Sequence, residues 1–165
     1  MTPARLIATG FGAGLLPAAP GTWGSALALP LAWLLHWAGG FALLAAATLA
    51  AFILGLWAVR AETAGRAEHD PGEIVIDEVV GQWLALFPLS FGLTWMGAAP
   101  HLFPWPGWVG GFVLFRLFDV LKPWPVSWAD RQRTPLGVML DDVLAGVLAA
   151  VVVSAAAALA HGWLQ

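Results

Sequence analysis

Residues 140–163 of the chain read LDDVLAGVLAAVVVSAAAALAHGW. Two carboxylates, Asp141 and Asp142, come first, and the residues from 143 to 163 carry no formal charge. An α-helix rises about 1.5 Å per residue and the hydrocarbon core of a bilayer is about 30 Å thick, so roughly 20 residues cross it. Residues 143–163 meet this length. The stretch therefore predicts a membrane-spanning helix with an acidic pair at its entrance.

A second stretch repeats this pattern of an acidic pair followed by an apolar helix. Residues 76–79 are Ile-Asp-Glu-Val, and the apolar residues 79–97 are again long enough to span a bilayer. Gly81 and Gly146 follow the two pairs within about one helical turn. The two stretches therefore predict helices that present similar acidic groups.

Three further apolar runs complete the predicted bundle. Residues 41–59 reach spanning length, whereas residues 25–37 and 107–121 reach only about 20 and about 22 Å. The shorter runs can cross if the bilayer thins or flanking residues snorkel, and re-entrant or interfacial placement is the alternative. We predict an all-α, polytopic membrane bundle of about four to five apolar helices, with its acidic site at one face.

Composition supports this fold class and excludes several functions. The 165 residues are 60% hydrophobic and 10% charged, with a mean hydropathy of +0.80, which is typical of a membrane protein. The length predicts one domain, residues 1–165. A net charge of −3 argues against nucleic-acid binding. Since there is no cysteine, disulfides, thiolate metal sites and cysteine nucleophiles are excluded.

The charged residues fall in only three places, which are Arg5, residues 60–78 and residues 116–142. Five crossings would place all three on one face, together with all seven Lys and Arg residues. The loops on the other face, residues 39–40 and 98–106, carry no formal charge. The positive-inside rule then predicts that the charged face is cytoplasmic.

The two acidic pairs are Asp77 with Glu78 and Asp141 with Asp142. At a helix N-terminus the helix dipole would stabilise each pair, and helix capping is the simplest alternative role. Four carboxylates on one face repel one another unless a cation lies between them. Hard oxygen ligands of this kind suit Mg²⁺, which also accepts phosphate oxygens. We predict a Mg²⁺ site formed by these four residues.

Residues 115–125, FRLFDVLKPWP, supply the cations. Arg116, Asp119 and Lys122 recur every three residues and therefore lie near one helix face. Pro123 lacks an amide proton and ends the helix just after Lys122. An ion-pair ladder is the simple interpretation. In the functional interpretation Arg116 and Lys122 bind phosphate, and Asp119 is a further metal ligand or a base.

Two turns on the charged face add weaker candidates for substrate binding. Residues 20–25, PGTWGS, open the first apolar helix, where backbone amides can hold phosphate and Thr22 or Ser25 can cap the helix. Residues 69–72, HDPG, predict a turn. His69 is the one histidine on the predicted charged face and therefore the one imidazole available there for acid–base work.

These segments together resemble the motifs of the phosphatidylglycerophosphatase A family. The stretches that match in order and spacing are PGTWGS, HDPGEIVIDEVVG, FRLFDVLKPWP and GVMLDDVLAG. The resemblance implies an all-helical Mg²⁺-dependent phosphatase of the bacterial inner membrane that converts phosphatidylglycerophosphate to phosphatidylglycerol. One departure is the stretch of residues 133–137, RTPLG, where family members often have a glycine-rich approach to the last acidic pair.

We therefore predict that Asp77, Glu78, Asp141 and Asp142 hold one or two Mg²⁺ ions, with Asp77 and Asp142 essential for catalysis. The other site residues are Arg116 and Lys122 as the phosphoryl clamp, Asp119 as the group that activates water, and Thr22, Ser25 and His69 as helpers. Membrane lipids are the expected partners, without an obligate protein partner. The alternatives are a phosphatase for another lipid phosphate, such as a polyprenyl phosphate, a cation transporter, or a purely structural membrane subunit.

Overall fold

The computed structural model describes residues 1–162, and helices are the only regular secondary structure within them, as predicted. The predicted end of the last span, Trp163, lies outside the described residues. A short 3-10 turn at Ala13–Leu15 follows the first helix. The helices are α1 (Pro3–Ala8), α2 (Pro20–Thr63), α3 (Ile76–Ala85), α4 (Phe87–Trp95), α5 (Trp105–Leu121), α6 (Val126–Asp130) and α7 (Pro135–Gly162).

Helix α2 is interrupted at the two glycines that the sequence predicts as a connection. Gly39 and Gly40 have non-helical backbone angles, and the φ of +61° at Gly40 lies in the region that glycine adopts readily. Just after the break, the amide of Phe41 donates a hydrogen bond to Thr94 Oγ1 of α4 over 3.0 Å. The element therefore consists of two helical arms, residues 20–38 and residues 41–63.

The prediction of one continuous helix over residues 79–97 is wrong. The chain forms α3 and α4 instead, with a break at Leu86 and with Pro88 in the first turn of α4. Proline lacks the amide that a continuing helix needs, so it marks a helix start. By length and composition two helices can cross a membrane, Pro20–Thr63 and Pro135–Ala160.

The acidic pairs also differ in their placement along the helices. Asp77 and Glu78 lie in the first turn of α3, as predicted. Helix α7 begins earlier than predicted, at Pro135, and Thr134 Oγ1 accepts a hydrogen bond from the Gly137 amide over 3.0 Å. Asp141 and Asp142 therefore lie beyond the first turn. The dipole argument is wrong for this second pair, because the effect fades within one turn.

Close packing of α3 on α7 brings the two pairs side by side. A Cβ atom added to Gly146 would overlap the backbone of Gly81, and one added to Gly81 would overlap the Asp142 carbonyl oxygen and the ring of Phe115. Glycine at both positions therefore permits the close approach. On its other side α3 is fixed to α2, since the Trp83 indole donates to the Ala28 carbonyl over 2.9 Å.

The three charged regions meet at one end of the bundle. Arg5 pairs with Glu62 and with Glu73, at 3.6 Å in both cases. Arg116 of the third region lies 4.0 Å from Glu78 of the second. The connections without formal charge are not part of this end. A separate cavity is lined there by residues 36–40, Thr94, Ala98 and Pro100. The acidic pairs and the charged residues of α5 are therefore collected at the charged end.

Candidate active site

The charged end contains a polar cavity of about 260 Å³, which we call the acidic cavity. It is formed where α2 begins, α5 ends, and α3 and α7 present their acidic pairs. Six carboxylates and two cations line it. The lining residues are Ala19, Pro20, Gly21, Asp70, Gly72, Ile74, Asp77, Glu78, Arg116, Asp119, Lys122, Asp141 and Asp142.

Three carboxylates in the acidic cavity are close enough to share one cation. One oxygen each from Asp77, Glu78 and Asp142 lies within 4.8 Å of the others. Asp77 and Asp142 are buried, and Glu78 Oε2 is buried without a hydrogen-bond partner among the described residues. A buried carboxylate oxygen without a partner is destabilising. These residues fit a hard divalent cation such as Mg²⁺, which prefers carboxylate oxygens.

The fourth predicted ligand, Asp141, contacts a cation of the protein itself. Its Oδ2 accepts a hydrogen bond from Lys122 Nζ over 2.7 Å, and its Oδ1 accepts one from the Asp142 amide over 3.0 Å. Lys122 also contacts Asp130, at 2.5 Å. Burial lowers the pKa of Lys122, but the hydrogen bonds to Asp130 and Asp141 outweigh it, so the pKa is raised overall. Lys122 is therefore a protonated donor at the cavity wall.

The three charged residues at the end of α5, Arg116, Asp119 and Lys122, form two separate sets of ion pairs. Arg116 Nη1 lies 2.6 Å from Asp119 Oδ2, the i,i+3 pair that the sequence predicts. Lys122 pairs with Asp130 and Asp141 rather than with Asp119. The interpretation as a single three-residue ladder is therefore wrong. The side chains of Arg116 and Asp119 are 21% and 14% exposed, so both remain accessible from the cavity.

The start of α2 contacts the acidic cavity through its backbone. A Cβ atom on Gly21 would overlap Glu78 Oε1 and lie 3.2 Å from Arg116 Nη1, so a larger residue cannot fit there without displacing both groups. The amides of Thr22 and Trp23 already donate to the Ala19 carbonyl, at 2.9 and 3.3 Å. Pro20 has no amide hydrogen to donate, so the binding of phosphate by this turn stays a prediction.

Three predicted helper residues do not line the acidic cavity. Ser25 is buried, and its hydroxyl donates to the Gly21 carbonyl over 2.9 Å. Thr22 and His69 are half-buried and lie outside the cavity lining. Their roles in substrate binding stay predictions, without a direct contact to support them.

Two acidic residues of the site were missed by sequence reasoning. Asp70 lines the cavity next to His69, and the HDPG turn already contained this signal. Desolvation at the cavity rim raises the pKa of Asp70 although the residue as a whole is exposed, while Lys122 and His69 oppose the rise. Asp130 is connected to the site through its ion pair with Lys122. The spacing of residues along the chain does not indicate this pair, because the contact depends on how α6 packs.

Comparison with known proteins agrees with the family that the sequence motifs indicate. Residues 6–157 match the family model described as Phosphatidylglycerophosphatase A. A protein of that name from Escherichia coli K12 is 36% identical over 149 residues, which cover 90% of this chain and 80% of the relative. One from Haemophilus influenzae Rd, also named Phosphatidylglycerophosphatase A, is 38% identical over 156 residues, covering 94% and 89%.

A further relative carries a different name. The Bacteroides thetaiotaomicron protein "Putative phosphatidylinositol-3-phosphatase" is 37% identical over 155 residues, covering 92% of this chain and 91% of the relative. No solved structure matches the chain. The family match spans nearly the whole chain and includes every residue of the acidic cavity. The chain therefore belongs to the phosphatidylglycerophosphatase A family, as its motifs predict, and is a phosphatase.

Proposed function

We propose that this protein is a Mg²⁺-dependent lipid phosphatase that hydrolyses phosphatidylglycerophosphate to phosphatidylglycerol and phosphate in phospholipid biosynthesis. Two relatives carry this substrate in their names. The observation that carries the proposal is the acidic cavity, in which three close carboxylates face Arg116 and Lys122. Enzymatic hydrolysis of a phosphomonoester relies on positioning and on stabilisation of negative charge. A cation site and positive donors both supply this, and the acidic cavity contains residues for each.

The proposed metal ligands are Asp77, Glu78 and Asp142. Bound Mg²⁺ would supply charge neutralisation at the phosphate oxygens and a lower pKa for a coordinated water. The ligand role predicted for Asp141 is less direct, since both of its oxygens accept hydrogen bonds within the protein. We propose that Asp141 chiefly positions Lys122.

The remaining residues act on the phosphoryl group and the water. Lys122 and Arg116 donate hydrogen bonds to the phosphoryl oxygens, and the planar guanidinium of Arg116 suits two oxygens at once. Asp119, held by Arg116 at 2.6 Å, orients the attacking water and accepts its proton. The water oxygen attacks phosphorus as the bond to the glycerol oxygen breaks, and the departing glycerol oxygen takes up a proton from solvent to give the alcohol of phosphatidylglycerol. We propose direct in-line attack, without a phosphoenzyme.

We further propose a multi-pass arrangement in the bacterial inner membrane, with the acidic cavity facing the cytoplasm. The support is the position of the Lys and Arg residues, all within the three regions that meet at the charged end. In this arrangement the acyl end of the substrate stays at the depth of the membrane while the terminal phosphate reaches the acidic cavity. No protein partner is needed for the reaction.

This orientation predicts opposite accessibility for two exposed alanines. The chain has no cysteine, so Ala67→Cys at the charged end and Ala99→Cys near the uncharged connections each introduce a single thiol. We expect a membrane-impermeant maleimide to label Ala99→Cys in intact cells and Ala67→Cys only after permeabilisation. Labelling of Ala67→Cys in intact cells would show that the acidic cavity faces outward.

The function is tested by phosphate release from purified protein in mixed micelles. We expect release from phosphatidylglycerophosphate with Mg²⁺, none with excess chelator, and recovery when Mg²⁺ is restored. Phosphatidylinositol 3-phosphate and a polyprenyl phosphate are the comparison substrates, and their kcat/KM should be lower by about tenfold or more. A higher kcat/KM for the inositol lipid would instead assign the activity named for the Bacteroides relative.

A further inference from the structure

An apolar cavity lies further along two of the helices that form the acidic cavity. This apolar cleft has a volume of about 430 Å³ and lies between the first arm of α2 and the start of α5. Its lining residues are Ala26, Leu29, Pro30, Trp33, Phe103 and Trp108, all of them apolar or aromatic. Its composition is therefore opposite to that of the acidic cavity.

The apolar cleft continues the acidic cavity along the same pair of helices. Helix α2 begins at the acidic cavity with Pro20 and Gly21, and α5 ends there with Arg116 and Asp119. Leu29 follows Gly21 by eight residues, or about 12 Å of helix. Trp108 precedes Asp119 by eleven residues, about three turns, so both lie on nearly the same side of α5.

The far end of the apolar cleft is held by a hydrogen bond. The indole of Trp33 donates to the His101 carbonyl over 3.0 Å, which ties α2 to the segment before α5. The Trp33 ring also stacks on Trp37, with ring centroids 5.3 Å apart. The cleft is therefore bounded by an aromatic wall of fixed orientation.

Another apolar cavity, of about 290 Å³, lies between the second arm of α2, α3 and α7. Only part of its wall belongs to helices that line the acidic cavity. The second arm of α2 contributes no residue to the acidic cavity, whose α2 residues are Pro20 and Gly21. The cleft between α2 and α5 is therefore the better extension of the acidic cavity.

We propose that one acyl chain of the substrate lipid lies in the apolar cleft while its phosphorylated headgroup occupies the acidic cavity. The inference rests on the proposed function as a lipid phosphatase. Moving a chain from the bilayer into an apolar cleft yields little hydrophobic gain, because both surroundings are apolar. The benefit is orientation: contact with a non-reacting part of the substrate positions the phosphate for attack.

The test fills the apolar cleft and compares substrates with and without acyl chains. Ala26→Phe places a ring in the cleft, and Leu29→Trp fills it from the next turn. For dioleoyl-phosphatidylglycerophosphate we expect kcat/KM to fall by about tenfold or more. For the deacylated headgroup, glycerophosphoglycerophosphate, kcat/KM should not change. Ala50→Phe is the matched control, since Ala50 is an exposed alanine of α2 outside the apolar cleft.

A binding readout keeps the inference separate from the proposed function. Dioleoyl-phosphatidylglycerophosphate with a diazirine in one acyl chain should crosslink to residues 26–33 and to Trp108, and Ala26→Phe should abolish these crosslinks. If the wild type released phosphate from neither substrate, the proposed function would be rejected. The crosslinks would still show whether an acyl chain lies in the apolar cleft. Equal kinetic effects on both substrates, or crosslinks spread evenly over exposed helix faces, would overturn the inference.

Discussion

Asp142→Asn is expected to lower kcat/KM by on the order of 10³-fold, comparable to removing a strong electrostatic contribution to the transition state. Asp142 is 3% exposed, and one of its oxygens lies within 4.8 Å of oxygens of Asp77 and Glu78. The substitution preserves the shape of the side chain but removes its charge and one anionic ligand. Loss of activity should therefore follow from weaker cation binding rather than from unfolding.

Thermal unfolding distinguishes these two causes. A ligand that binds only the folded state stabilises it by about 2.7 kcal/mol at a concentration of about 100 times Kd. Wild-type protein should gain this stability when Mg²⁺ replaces chelator, whereas Asp142→Asn should gain little. In chelator the variant should be at least as stable as the wild type, because it has one negative charge fewer beside Asp77 and Glu78.

Glu73→Gln is the matched control for Asp142→Asn. Glu73 is also at the charged end, but it lies outside the acidic cavity and pairs with Arg5 and Arg66 at 3.6 and 3.2 Å. Exposed ion pairs contribute little to stability, so this variant should keep both its activity and its response to Mg²⁺. An Asp142→Asn protein that is fully active in chelator, or that Mg²⁺ still stabilises as it does the wild type, would remove Asp142 from the metal site.

Much of the acidic cavity could be predicted because its residues are local in sequence. Each acidic pair directly precedes an apolar run of the sequence, and the i,i+3 spacing of Arg116 and Asp119 predicts the ion pair that the structure contains. The adjacent glycines 39 and 40 likewise predict the break in α2. Such features depend on helix periodicity and backbone freedom, which one sequence is enough to reveal.

Features that depend on tertiary packing could not be predicted in this way. Lys122 is three residues from Asp119, yet it contacts Asp130 and Asp141, because α6 and α7 bring these carboxylates to the end of α5. The spacing of residues along the chain does not indicate which carboxylates Lys122 contacts. The break at Leu86 is different, because Pro88 within the apolar run already indicates a helix start, which hydrophobic length alone does not reveal.

Lys122→Gln is expected to lower kcat/KM on phosphatidylglycerophosphate by on the order of 10²-fold, the loss typical of removing one preorganised donor. The ammonium group lines the acidic cavity, and hydrogen bonds to Asp130 and Asp141 hold it there at 2.5 and 2.7 Å. Glutamine keeps a donor but removes the positive charge. The effect should therefore be largest on the charged transition state, and it is measured by steady-state kinetics at saturating Mg²⁺.

The rival explanation is that Lys122 only neutralises its two carboxylate partners. Asp130→Asn removes one partner that does not line the acidic cavity, so alone it should lower kcat/KM by no more than about tenfold, because Asp141 still holds Lys122. If charge balance were the whole role, the double variant Asp130→Asn/Lys122→Gln would recover most of the activity that Lys122→Gln loses. We expect no recovery, because the phosphoryl group still lacks its cation. A double variant with near wild-type kcat/KM would make Lys122 a structural ion pair and leave Arg116 as the one phosphate-binding side chain of α5.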